Sequence, residues 1–376
     1  MKKYDIAAYV WPAYTGNEIR SKIFWPEGIG EWQTIKNVNE IMCHKPIGYT
    51  WDRKPLWGYV NEADPYVMEM EIEAAVDHGV NIFIYDWYWY DNRPFLENCL
   101  NDGFLKAKNH DKMKFYLMWA NHDASTLWDR RNADANTVIW GGKVNLEQFK
   151  IIGKRWMEQY FTLPCYYRID EKPVISIYDM ANFIEGLGGK EQAFEALYWL
   201  KSEAVKSGFP GVHLQMVKWG NNFSNITGVD GSTMKLSHLE ALKLLNFDSC
   251  THYQYVHFTD MKRDYNDIIP DVLNEWDYIK KSTDKEYYPH VSIGWDNNPR
   301  HLTYSDTVTC NNGPEMFEKA LRAAKTYSDT CNRVPLITIN SWNEWTETSY
   351  LEPDTKNGYG YLEAIKKVFK KDQENS

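Results

Sequence analysis

Residues 63–91, ADPYVMEMEIEAAVDHGVNIFIYDWYWYD, carry a helix, a strand and a polar-aromatic cluster in direct succession. Asp64-Pro65 is a helix start, because the carboxylate can accept free N–H groups and proline lacks the N–H that a first turn leaves unpaired. Apolar side chains then recur near a 3.6 spacing until Gly79, a residue that tolerates the left-handed backbone of a helix stop. The run 81–87 is apolar and aromatic and too short for a helix, which predicts a buried strand. Asp86, Trp87, Tyr88 and Asp91 stand at its end.

Working outward, the same unit recurs along the whole chain. Further strand-like runs lie at 6–11, 114–120, 173–178, 212–218, 247–255, 288–294 and 336–342, making eight with 81–87. Helical spacing appears at 145–161, 190–208 and 313–329, and helical candidates at 95–110, 237–245, 260–281 and 361–371. Strand and helix alternating eight times predict parallel strands joined by right-handed crossovers, a single (β/α)8 TIM barrel over 1–376. An open doubly wound sheet would carry a Gly-rich loop after its first strand, and VWPAYTGNE is not one. Residues 14–62 are too long for an ordinary loop and read as an insertion at the barrel mouth, rich in Trp25, Trp32, Trp51 and Trp57.

Composition narrows the partners. A net charge of −10 leaves no basic surplus to neutralise phosphates, so nucleic acid is excluded. The sequence has no apolar run of membrane-spanning length and no signal-peptide core, which reads as soluble and cytoplasmic as it stands, or periplasmic or secreted if a leader has been removed. Six scattered cysteines without CxxC spacing read as free thiols. The unusual figure is 15% aromatic, with 17 Trp and 26 Tyr, many beside Asp, Asn or His. Rings with polar neighbours suit sugars, whose C–H faces stack while hydroxyls are bound by acids and amides. A carbohydrate is the expected partner.

In such a barrel the active site lies at the C-terminal strand ends. The residues found there are Trp11; Asp86, Trp87 and Tyr88; Trp119, Asn121, His122 and Asp123; Trp219; Tyr253 and Tyr255; Trp295, Asp296 and Asn297; and Asn343 and Trp345. These are the candidate substrate-binding residues. Opposite strand ends show chain-reversing residues instead, as in GFPG and DEKP.

Two carboxylates are the minimum for glycosidic chemistry, and Glu344 and Glu347 supply a pair. Three apart on a strand they would face opposite sides, so they converge only if the chain bends like a helix just after Glu344. Trp342 and Trp345 would lower local polarity and keep one carboxyl protonated, while Asn343 could hold the other ionised. Other chemistries lack their motifs: there is no GxSxG, P-loop, HExxH or zinc-deaminase pattern. Scattered histidines, and Asp86, Asp123, Asp296, Glu352 and Asp354 without DxDxDG spacing, give no expected metal, and no cofactor is expected.

WANHD, GWDNNPR and NSWNEWTETSYLEPD, followed by GYGYLEAI, resemble the glycoside hydrolase family 99-like domain, also catalogued as the WbsX-type glycosyltransferase family. The family pattern reads WANE, WDNT-R and NAWNEWAEG-LEPD in the same order, with a YYxYW-type motif that YDWYWY echoes. The resemblance covers about residue 80 to the C-terminus and implies a (β/α)8 barrel acting on α-linked glycans. Family 99 endo-acting α-mannosidases and α-mannanases carry an E-W-x-E motif that falls on Glu344 and Glu347. It implies Glu344 as the base toward the sugar's own 2-hydroxyl, through a 1,2-anhydro sugar, and Glu347 as general acid/base. A covalent glycosyl-enzyme with a glutamate nucleophile is the competing route. Two departures stand beside the expected pocket: His122 occupies the position of the WANE glutamate, and NEWTET replaces NEWAEG. The expected activity is a retaining glycoside hydrolase; the alternatives are a polysaccharide glycosyltransferase and a non-catalytic glycan-binding protein.

Overall fold

A computed structural model describes residues 3–219, 223–227 and 233–371. Eight parallel strands form a ring: β1 (Asp5–Val10), β2 (Ile82–Tyr90), β3 (Lys114–Trp119), β4 (Lys172–Ile177), β5 (His213–Val217), β6 (Ser249–Thr251), β7 in two pieces (Glu286–Tyr287 and His290–Ser292) and β8 (Leu336–Asn340). Neighbours pair in chain order from β1 to β6, and β1 pairs with β8. The two pieces of β7 close the ring: Glu286–Tyr287 pairs with β6, and His290–Ser292 with β8. Each expected strand is present.

Helices surround the ring: α1 (Pro65–His78), α2 (Leu146–Trp156), α3 (Met180–Leu187), α4 (Lys190–Lys206), α5 (His238–Leu244), α6 (Tyr265–Ser282), α7 (Pro314–Cys331) and α8 (Gly360–Lys366). The opening stretch forms as its residues dictate. The Asp64 carboxylate accepts the Tyr66 N–H, Pro65 is the first helical residue, and Gly79 ends α1 at φ 99°. Two expectations change. The helix at 95–110 is instead the short turns Cys99–Gly103, Phe104–Lys106 and His110–Lys112. Gly103 lies so close to the Glu62 carbonyl that a side chain would collide with it. Helix α3, unexpected from the sequence, is capped by the Asp179 side chain and stopped by Gly188 at φ 97°.

Strand parity sets what faces inward. On β2, Asp86 and Tyr88 point to the barrel mouth, while Trp87 and Trp89 stack on each other and Trp87 meets Trp156 of α2. Among the described residues no helix is long and apolar enough to cross a membrane.

Candidate active site

The loop leaving β8 brings two glutamates three residues apart onto one face. Asn343–Glu344 pairs antiparallel with Ser349–Tyr350, and Trp345–Glu347 between them makes one 3₁₀ turn. Thr348 closes it in the left-handed region at φ 57°. Its hydroxyl donates to the Asp296 carbonyl at 2.8 Å and accepts from Trp51 Nε1 at 3.0 Å. The bend expected after Glu344 is there.

Arg300 stands between the pair. Its Nη1 donates to Glu347 Oε1 at 2.7 Å, its Nη2 donates to Glu344 Oε1, and its Nε lies 3.5 Å from Glu31 Oε1. Trp11 covers the guanidinium at 6.0 Å. Glu31 is fully buried, and its Oε2 accepts from Trp11 Nε1 at 2.6 Å and from the hydroxyls of Thr346 at 3.2 Å and Tyr14 at 3.4 Å. On the other flank the Tyr253 hydroxyl is 3.0 Å from both Glu344 Oε2 and Asp86 Oδ2. Burial pushes the Glu344 carboxyl well above the usual glutamate range and that of Glu347 above it, and the Arg300 charge opposes both. Glu344 thus receives two donors, whereas Glu347 Oε2 is buried without a hydrogen-bond partner.

Above these groups opens a cavity of about 570 Å³, within the range of small-molecule sites. Trp11, Tyr88, Trp128, Tyr178, Trp219 and Tyr253 form its aromatic wall; Asp86, Arg300, Glu344 and Glu347 are its carboxyl and guanidinium groups. His122 faces it as well. Its Nδ1 lies 2.9 Å from the Asp123 carbonyl and burial lowers its pKa, so the ring is neutral, donates through Nδ1 and keeps Nε2 as an acceptor.

The cavity therefore gathers Trp11, Asp86, Tyr88, His122, Trp219, Tyr253, Glu344 and Glu347 from the expected residues. The others lie outside its lining. Trp87 and Trp119 follow the outward parity of their strands and pack on Trp156. Asn121 exchanges two hydrogen bonds with the Asp179 backbone, and the Asp123 carboxylate accepts the Gly142 N–H. Tyr255 donates to the His290 carbonyl, the Trp295 carbonyl accepts the Thr309 N–H, Asp296 accepts from Tyr49, and Asn297 meets His301. Trp345 donates to Glu352 and stacks on Tyr350. Asn343 does not touch either glutamate of the pair: it bonds the Trp11 backbone and Glu62, and the ionising role expected of it falls to Arg300. None of Trp25, Trp32, Trp51 and Trp57 lines the cavity; the 124–140 loop does, through Leu127, Trp128 and Asn136. Sequence reasoning missed Arg300 and Glu31. The only signal was an arginine in GWDNNPR and a glutamate in a segment already suspected of covering the mouth.

The model of a family described as glycosyltransferase WbsX matches residues 6–365. The chain belongs to the WbsX family. Two proteins described as uncharacterized protein WxcX, from two strains of Xanthomonas campestris pv. campestris, are 24% identical over 362 residues and 23% over 358. Both alignments cover 92% of this chain and 47% of the relative, so this WbsX-family chain spans about half the length of the curated relatives it matches. Among solved structures, a GH99 endo-alpha-mannosidase from Bacteroides thetaiotaomicron has a TM-score of 0.64 at 14% identity, covering 99% of each chain. A glycoside hydrolase-like protein has 0.61 at 13% identity, over 98% of this chain and 95% of that one. These likenesses show the barrel fold.

Behind the Asn343–Tyr350 loop of this WbsX-family barrel, Glu62, Glu71 and Glu352 place carboxylate oxygens within 4.8 Å of one another, all buried. The loop sends a donor to each, Asn343 Nδ2 to Glu62, Trp342 Nε1 to Glu71 and Trp345 Nε1 to Glu352, and the Cys99 thiol adds one to Glu62 at 3.5 Å. Among the described residues this is the group whose geometry could hold a metal ion.

Proposed function

We propose that this WbsX-family chain is a retaining glycoside hydrolase acting on an α-linked poly- or oligosaccharide, with an α-mannoside the first substrate to test. The observation that carries the reading is the shared Arg300 fork, which holds two carboxyls side by side at the floor of an aromatic-walled cavity. Carboxyls on adjacent nitrogens of one guanidinium suit retaining chemistry better than the separation of about 6.5–9.5 Å that inverting enzymes need for an attacking water. Glu344, holding donors on both oxygens, stays ionised and acts as base toward the sugar's 2-hydroxyl or as nucleophile at C1. Glu347 carries the proton on its unpartnered oxygen, delivers it to the departing oxygen and then takes one from water. The similar solved structures described as GH99 endo-alpha-mannosidases point the same way.

The family's description favours a second reading, glycosyl transfer from an activated sugar. The cavity lends it little support: Arg300 is its only Lys or Arg among the described lining residues and is already engaged by Glu31, Glu344 and Glu347, so no positive charge is left over for a nucleotide diphosphate.

The test is hydrolysis of a panel of α-linked glycans by wild type, Glu344→Gln and Glu347→Gln, with products read by mass spectrometry. Loss of about a hundredfold or more in both variants is expected. Turnover that survives both substitutions would overturn the assignment, and inhibition by nucleoside diphosphates would favour transfer.

A further inference from the structure

Tyr253 has a single hydroxyl proton but two carboxyl oxygens at 3.0 Å, Asp86 Oδ2 and Glu344 Oε2. It can donate to one of them. Were both ionised, the other would face the lone pairs of the phenol oxygen at hydrogen-bond distance, in a buried place where such a clash is unscreened. One extra proton removes the conflict. A protonated carboxyl donates to Tyr253 Oη, and the Tyr253 O–H is then committed to the remaining carboxylate.

The two carboxyls are not equivalent. Glu344 also accepts from the Arg300 guanidinium, which favours its charged form. Asp86 is 3% exposed, makes no ion pair among the described residues, and its Oδ1 is buried without a hydrogen-bond partner. We infer that Asp86 is held as the neutral acid, donating its proton to Tyr253 Oη and thereby fixing the Tyr253 proton on Glu344 Oε2. The charged groups that act on Asp86 fit this placement. Burial pushes its pKa far up, Glu347 adds to the rise, and the Tyr253 bond and the more distant Arg300 only oppose it. Among the described residues, the phenols of Tyr9, Tyr88 and Tyr178 also act with Asp86, and burial keeps them protonated.

Asp86 is thus a positioning residue, acting through Tyr253 rather than on the sugar. Glu344 is left with Oε1 on Arg300 and Oε2 on Tyr253, an acceptor oriented from both sides. The catalytic meaning of this chain of protons rests on the hydrolase reading; the location of the proton does not.

The experiment is difference infrared spectroscopy near neutral pH on the folded protein. Wild type minus Asp86→Asn is expected to show the C=O stretch of one undissociated carboxyl, and wild type minus Glu344→Gln the bands of an ionised carboxylate. The reverse assignment, or carboxylate bands lost in both subtractions, would overturn the inference. Turnover supplies a second reading: the Asn side chain can still donate to Tyr253 Oη, so Asp86→Asn should exceed Asp86→Ala in kcat by about tenfold, the scale of one hydrogen bond. Equal loss in the two variants would count against positioning. If wild type turns over no glycan, the hydrolase reading fails while the spectra still locate the proton.

Discussion

Arg300 is one cation serving Glu31, Glu344 and Glu347, so its removal leaves buried carboxylates uncompensated. Arg300→Gln is expected to cost about 3–5 kcal/mol, the scale for breaking a buried ion pair from one side, and to abolish turnover. The sign with pH follows from Arg300 holding the two glutamates down. Without it their folded pKa values rise further above the unfolded ones, the folded state binds protons that the unfolded state releases, and stability falls as pH rises through that window. Thermal melts of variant and wild type should therefore diverge with rising pH; a gap that stays constant would mean the guanidinium is not what neutralises these groups. This residue was present in the sequence only as the end of GWDNNPR. Its partners lie 44 and 47 positions downstream and at Glu31, far upstream, and such a clustering of charges exists only once the barrel has closed.

At the level of elements, the strands were legible because each apolar run ends in polar-aromatic residues, but their boundaries shift by as much as four residues: the run 247–255 pairs only over Ser249–Thr251, and the run 81–87 extends to Tyr90. Which side chain faces the cavity was not legible from those runs alone. Trp87 and Trp119 sit one position from Asp86 and Met118 on neighbouring strands in register, so the period of two sends the pairs to opposite faces. The turn at Trp345–Glu347 shows a related trade. Thr348 occupies the place of glycine in the NEWAEG pattern and adopts the left-handed backbone that glycine tolerates. Relief of that conformation in Thr348→Gly is worth about 1–2 kcal/mol. The lost hydroxyl leaves the Asp296 carbonyl and Trp51 Nε1 short of a partner, at about 1–3 kcal/mol each. The hydroxyl wins this comparison, so Thr348→Gly should lower the urea midpoint; a rise would show that its two bonds contribute little.

Across the whole molecule, the three glutamates behind the Asn343–Tyr350 loop tie α1 to the chain leaving β8 while carrying no paired cation among the described residues. Burial raises Glu352 to about 8 and pushes Glu62 and Glu71 well up. The folded protein then holds protons that unfolding releases, so stability should decline as pH climbs from the ordinary glutamate range to about 8, by roughly 1.4 kcal/mol per pH unit for each such group. Glu352→Gln should flatten that decline in thermal melts, and an unchanged slope would mean Glu352 is ionised throughout. The two-piece β7 bears on the same loop from the other side. Its first piece shares a backbone ladder with β6 and its second with β8, so toward the mouth β6 and β7 are joined by side chains instead, as where Ser292 Oγ accepts the Tyr255 N–H and the Tyr255 hydroxyl donates to the His290 carbonyl. Toward the mouth that seam hangs on individual side chains rather than on a repeating ladder, so Ser292→Ala would remove a link there that no ladder bond between β6 and β7 replaces among the described residues.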